Sequence, residues 1–138
     1  MTWIKNKVLR LTKTYKTNNP FELAAAMNIK VYQWDLHSEI MGFYKYIRRN
    51  RFIFINVNLV DEDKTFTCSH ELGHAVLHTK VNTPFLKVNT FYSIDKIERE
   101  ANEFAVNLLL YDKNLEDYET KYDVLRENRI PYEMERFL

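Results

Sequence analysis

An α+β fold is predicted by three observations. Apolar residues recur at helical spacing near the amino end, residues 29 to 57 are rich in β-branched and aromatic side chains, and helical periodicity then returns. Helices, a short sheet of three or more strands, and helices again follow in that order. The 138 residues, 46% hydrophobic and 28% charged, can bury roughly two thirds of their unfolded surface, which excludes a disordered chain. One domain over 1–138 is expected, because Gly42, Gly73, Pro20, Pro84 and Pro131 are the only glycines and prolines and no linker-like tract occurs.

Twenty Lys+Arg against nineteen Asp+Glu leave a net charge of +1. The basic excess of a nucleic-acid binder is missing, so no direct nucleic-acid partner is expected. The lone Cys68 cannot form an internal disulfide, and no apolar run reaches signal-peptide or membrane-spanning length. The expectation is a cytoplasmic monomer with no membrane partner.

Residues 3 to 16 place Ile4, Val8, Leu11 and Tyr15 on one face of a helix backed by Lys5, Lys7, Arg10, Lys13 and Lys16. Asn19-Pro20-Phe21-Glu22 reads as an N-cap, a first-turn proline and a capping-box acid, opening a short helix that Asn28 closes. Strands follow within 29–36, 43–47 and 51–57, the last two joined by the polar turn Arg48-Arg49-Asn50. Asp61, Glu62 and Asp63 suit a helix amino end, and a helix runs from there to His78. Residues 80 to 92 lack periodicity and contain Pro84, so a loop is expected before Ser93 caps a helix over about 94–110. The segment 113–138 is expected to pack on this body as two short helices broken at Ile130-Pro131.

His70-Glu71-Leu72-Gly73-His74 lies within the third of these helices. Helical positions four apart differ by about 40° in azimuth and about 6 Å in height, so His70 and His74 can aim at one metal ion. Glu71, about 100° round from His70, is placed to act as a general base on a water beside that ion. Gly73 costs a helix about 1 kcal/mol relative to Ala, which a close helix neighbour would justify. Ala101 and Ala105, small residues four apart on the 94–110 helix, offer that neighbour. Glu98 shares their stripe and supplies a third ligand, while Asn102 can accept a hydrogen bond from the outer nitrogen of a ligating histidine. Glu100 is the rival ligand. Two histidines, one carboxylate and an open position form a catalytic zinc arrangement.

His70-Glu71-Leu72-Gly73-His74-Ala75-Val76-Leu77-His78 and Glu98-Arg-Glu-Ala101-Asn102-Glu-Phe104-Ala105, with Leu108-Leu109 and Ile130-Pro131, resemble the ImmA/IrrE metallopeptidases, zincins with a glutamate third ligand. The resemblance covers most of 42–138. It implies a small zincin-like fold and a cytoplasmic enzyme that holds one Zn2+ per chain through His70, His74 and Glu98, with Glu71 as base. It also implies that the substrate is a helix-turn-helix repressor of a phage or integrative element. The proline that often follows the two leucines in similar proteins is replaced here by Leu110-Tyr111-Asp112.

His78 lies about 12 Å along the axis from His70, too far for all three histidines to chelate one ion, so it is assigned a supporting position behind the ligands. Tyr92 is a candidate oxyanion stabiliser, Cys68 a buried small hydrophobe and His37 a surface residue. Glu71 and His74 also spell the Glu-x-x-His of di-iron bundles, but no second copy exists. A non-catalytic antirepressor using the metal as a structural clip is the alternative function. An exposed edge formed by 51–57 is the expected docking strand for an extended substrate.

Overall fold

The computed structural model describes residues 2–86 and 95–138. Helix α1 (Trp3–Tyr15) begins where the Thr2 hydroxyl accepts from the Lys5 amide, and ends at Lys16 in a left-handed conformation. It buries Ile4, Val8, Leu11 and Thr12, whereas Tyr15, expected on that face, is exposed. Thr12 is tolerated there because its hydroxyl donates to the Val8 carbonyl at 3.0 Å. Helix α2 (Pro20–Ala26) is capped by Asn19, whose Oδ1 accepts from the amides of Phe21 and Glu22. Glu22 does not close a capping box; its carboxylate accepts from the Thr17 hydroxyl instead.

Four strands form one sheet in the order β1-β3-β2-β4: β1 (Lys30–Trp34), β2 (Ile40–Ile47), β3 (Asn50–Asn56) and β4 (Thr83–Leu86). β1 runs parallel to β3, and β2 is antiparallel to both β3 and β4. This overturns two expectations. Residues 83–86 are a strand within the supposed loop; they are too short to show periodicity, and Pro84 sits in an edge strand, where a proline is tolerated. The 51–57 strand is interior, paired on both sides, so it cannot add a peptide. The free edges among the described residues belong to β1 and β4.

The β2–β3 hairpin turns through Arg48 and Arg49, with φ of 50° and 67°. Positive φ at both central residues marks the tight type I′ class, which favours Asn-Gly and costs an ordinary residue about 1 kcal/mol. Replacing Arg48-Arg49 by Asn-Gly is expected to raise stability by about 1 kcal/mol and Tm by about 3 °C. An unchanged or lower melting temperature would contradict this account of the turn.

Asn56 ends β3 in a buried position, and its amide donates to the carbonyls of Leu36, His37 and Ile40 at 3.2, 3.1 and 2.9 Å. These bonds tie the β1–β2 connection to the sheet. Helix α3 (Asp61–Leu77) lies over β2 and β3 and against α4 (Lys96–Leu109). Every residue of α3 from Phe66 to Ala75 is buried, so its polar side chains there face protein on all sides. Gly42 of β2 lets the helix come this close: a Cβ at Gly42 would stand 2.4 Å from the Phe54 carbonyl oxygen and 2.8 Å from Thr67 Cγ2.

The opposite face of the sheet carries Tyr32, Trp34, Phe43, Phe52 and Phe54 in ring contact. Trp34 is 52% exposed and Trp3, on α1, is 57% exposed. After α4 come a 3-10 turn at Leu115–Asp117, α5 (Lys121–Glu127) and a 3-10 helix at Tyr132–Phe137. Val124, Leu125, Ile130 and Met134 of this segment pack with Val106 and Leu110 and with Met41 and Phe66 in a second apolar cluster. Pro131 is the cap of the final 3-10 helix.

Candidate active site

Glu98 occupies the first turn of α4, whose cap is Asp95; the expected cap, Ser93, and the oxyanion candidate Tyr92 lie outside the described residues. A helix amino end favours a carboxylate. The Glu98 Oε1 atom lies 3.0 Å from His70 Nε2 and 3.2 Å from His74 Nε2. Burial pushes the Glu98 carboxyl up, but hydrogen bonds from His70 and then His74 outweigh it and hold the group below the usual carboxylate range. Burial, first, pushes His74 down from its ordinary value, which favours the neutral imidazole. A neutral imidazole is the form that binds a cation.

Gly73 makes this meeting possible. A Cβ there would lie 3.2 Å from Ala101 Cα, the Ala101 carbonyl oxygen and Phe104 Cβ. The two backbones therefore touch between the histidines and Glu98. Outside that contact, Asn102 Oδ1 stands 2.8 Å from His70 Nδ1. With Nδ1 carrying the proton toward Asn102, His70 Nε2 would be left to offer its lone pair to an ion in place of its bond to Glu98.

Glu71 is fully buried and neither of its carboxyl oxygens has a hydrogen-bond partner. Burial, and secondarily the charge of Glu98, raises its pKa well above the ordinary value. A carboxylate oxygen of Glu71 and one nitrogen each from His70 and His74 lie within 4.8 Å of one another. Orphaned buried carboxyl oxygens are costly and cluster at functional centres. Those of Glu71 lie beside the His70 and His74 imidazoles and the Glu98 carboxylate, a donor set that a divalent cation fits.

The comparisons with known proteins bear on this geometry. Residues 24–137 match the peptidase M78 family, described as the IrrE N-terminal-like domain. The chain belongs to the IrrE N-terminal-like peptidase family. It is also 54% identical over 137 residues to the uncharacterized immunity region protein 2 of Bacillus phage phi105, covering 96% of this chain and 87% of that one. Against the metallopeptidase ImmA of Bacillus subtilis strain 168 it is 35% identical over 115 residues, or 83% of this chain and 67% of the relative. The matched region holds α3 and α4 entire, and with them His70, Glu71, His74, Glu98 and Asn102.

Glu100, weighed from the sequence as the rival ligand, points elsewhere. Its Oε1 stands 2.9 Å from His78 Nε2, and His78 Nδ1 stands 3.0 Å from His74 Nδ1. Sequence reasoning did not pair Glu100 with His78, since no spacing rule links positions 22 apart on two helices. It also missed Gly42, for which a glycine inside a β-rich run was the available signal. Cys68 is buried on α3, and burial, aided by the charge of Glu71, pushes its thiol up. His37 is exposed on the β1–β2 connection.

Proposed function

We propose that this chain is a zinc-dependent endopeptidase whose substrate is a DNA-binding repressor of a phage or integrative element. The observation that carries the reading is the buried, unpartnered Glu71 carboxyl set beside His70, His74 and Glu98. The similarity to the ImmA metallopeptidase and to a phage immunity-region protein supports the substrate class.

His70 Nε2, His74 Nε2 and the Glu98 carboxylate would hold the ion, and Asn102 would keep the His70 ring in its ligating tautomer. A bound zinc ion supplies Lewis acidity, polarising the scissile carbonyl and lowering the pKa of water. Glu71 takes the proton of the attacking water and returns it to the leaving amine; its raised proton affinity suits both halves of that transfer. An extended peptide can pair along the free edge of β4, the strand bordering β2. No described helix is long and apolar enough to cross a membrane. Action in the cytosol follows from the substrate, since a repressor works where the DNA is.

The test is incubation of the zinc-loaded protein with the repressor encoded beside its gene. Two repressor fragments by mass spectrometry, absent when chelator is added, are the expected result. Intact repressor released from its operator would favour the antirepressor reading and overturn catalysis.

A further inference from the structure

His74 and His78 meet through their Nδ1 atoms at 3.0 Å, and His78 Nε2 meets Glu100 at 2.9 Å. Such a chain admits only one proton order once His74 binds a cation through Nε2. The proton of His74 must then sit on Nδ1, so His78 Nδ1 must accept it. His78 in turn must carry its own proton on Nε2, where Glu100 accepts. All three side chains are shielded: His74 is 1% exposed, and the side chains of His78 and Glu100 are 8% and 14% exposed. Water is therefore a poor substitute for any link.

We propose that Glu100 and His78 are positioning residues for the metal centre, a carboxylate–histidine pair that fixes the tautomer and ring orientation of His74 and raises the basicity of its Nε2. The inference rests on the metal-centre reading above and adds to it a second carboxylate that never touches the ion. The two outer supports differ in kind. His70 is held by the neutral amide of Asn102, whereas the His74 chain terminates in a charged group, which polarises the hydrogen bonds toward the ligand.

Zinc dissociation constants from chelator competition test the proposal without reference to any substrate. His78→Ala should weaken zinc binding by about 10–100-fold, and Glu100→Ala by about 10-fold. Glu100→Gln, which keeps a carbonyl acceptor for His78 Nε2–H but removes the charge, should fall between wild type and Glu100→Ala. Because Glu100 acts through His78, adding Glu100→Ala to His78→Ala should cost nothing further. Circular dichroism of the metal-free variants should match wild type.

Zinc affinities of both alanine variants within about twofold of wild type would overturn the proposal, as would additive losses in the double variant. Loss of one nitrogen donor from the cobalt(II) visible spectrum of His78→Ala would also overturn it, since His78 would then be a ligand. A wild-type chain that takes up no zinc would defeat the metal-centre reading itself. Tight zinc binding without repressor cleavage defeats only the substrate assignment and supports the relay if the variants behave as stated.

Discussion

Glu71→Gln is expected to bind zinc as the wild type does and to lose peptide cleavage by at least about 100-fold, the lower end of what a general base contributes. The substituted amide fills the same volume as the carboxyl and leaves His70, His74 and Glu98 untouched, so metal content should not change. It cannot take a proton from water. A purified variant that cleaves at the wild-type rate would remove Glu71 from the mechanism.

The same variant carries a second signature in the metal-free protein. The folded-state pKa of Glu71 is raised, by burial first and by Glu98 second. Between the unfolded value and the raised one, the folded state holds more protons than the unfolded state. Stability therefore falls as pH rises through that window. His74, whose pKa is lowered by burial, titrates with the opposite sign in both proteins and cancels in the comparison. The melting temperature of metal-free Glu71→Gln, relative to that of wild type, should thus rise by a margin that widens as pH climbs above the ordinary carboxylate range. A constant margin would mean that Glu71 is not the buried acid described.

Gly42→Ala is expected to destabilise the protein strongly although it lies outside the site itself. The added methyl would meet the Phe54 carbonyl oxygen at 2.4 Å and Thr67 Cγ2 at 2.8 Å. Backbone cannot rotate away as a side chain can, so either β2 shifts against β3 or α3 lifts from the sheet. The expected cost is about 3 kcal/mol, or a fall in Tm of about 10 °C. Gly73→Ala, although inside the histidine motif, should be milder. Its contacts are 3.2 Å, and alanine returns about 1 kcal/mol of helix propensity. Its effect should appear instead in zinc affinity, because Ala101 is displaced together with Glu98 on α4. Equal melting temperatures for the two variants would contradict this ranking.

The parts of the site legible in the sequence are those fixed by a single helix or by a steric demand. His70, Glu71 and His74 share one helix, so their relative placement follows from the turn angle. Glu98 and Asn102 were within reach because Gly73 asks for a close neighbour and the Ala101–Ala105 stripe answers it. The sheet order was not legible. The run 51–57 looks the same whether it lies at an edge or in the middle, and only its pairing with both β1 and β2 decides. β4 was hidden by its shortness and its proline. The His78–Glu100 bond was hidden because it depends on how two helices dock.

The placement of the two indole rings decides how these melting experiments can be read. Trp3 and Trp34 already contact solvent in the folded protein, and neither belongs to the buried apolar core. Their emission should shift little when the interior comes apart, and a fluorescence trace would understate the transition. Far-ultraviolet dichroism, which follows the helices, is the signal that tracks cooperative unfolding of this chain.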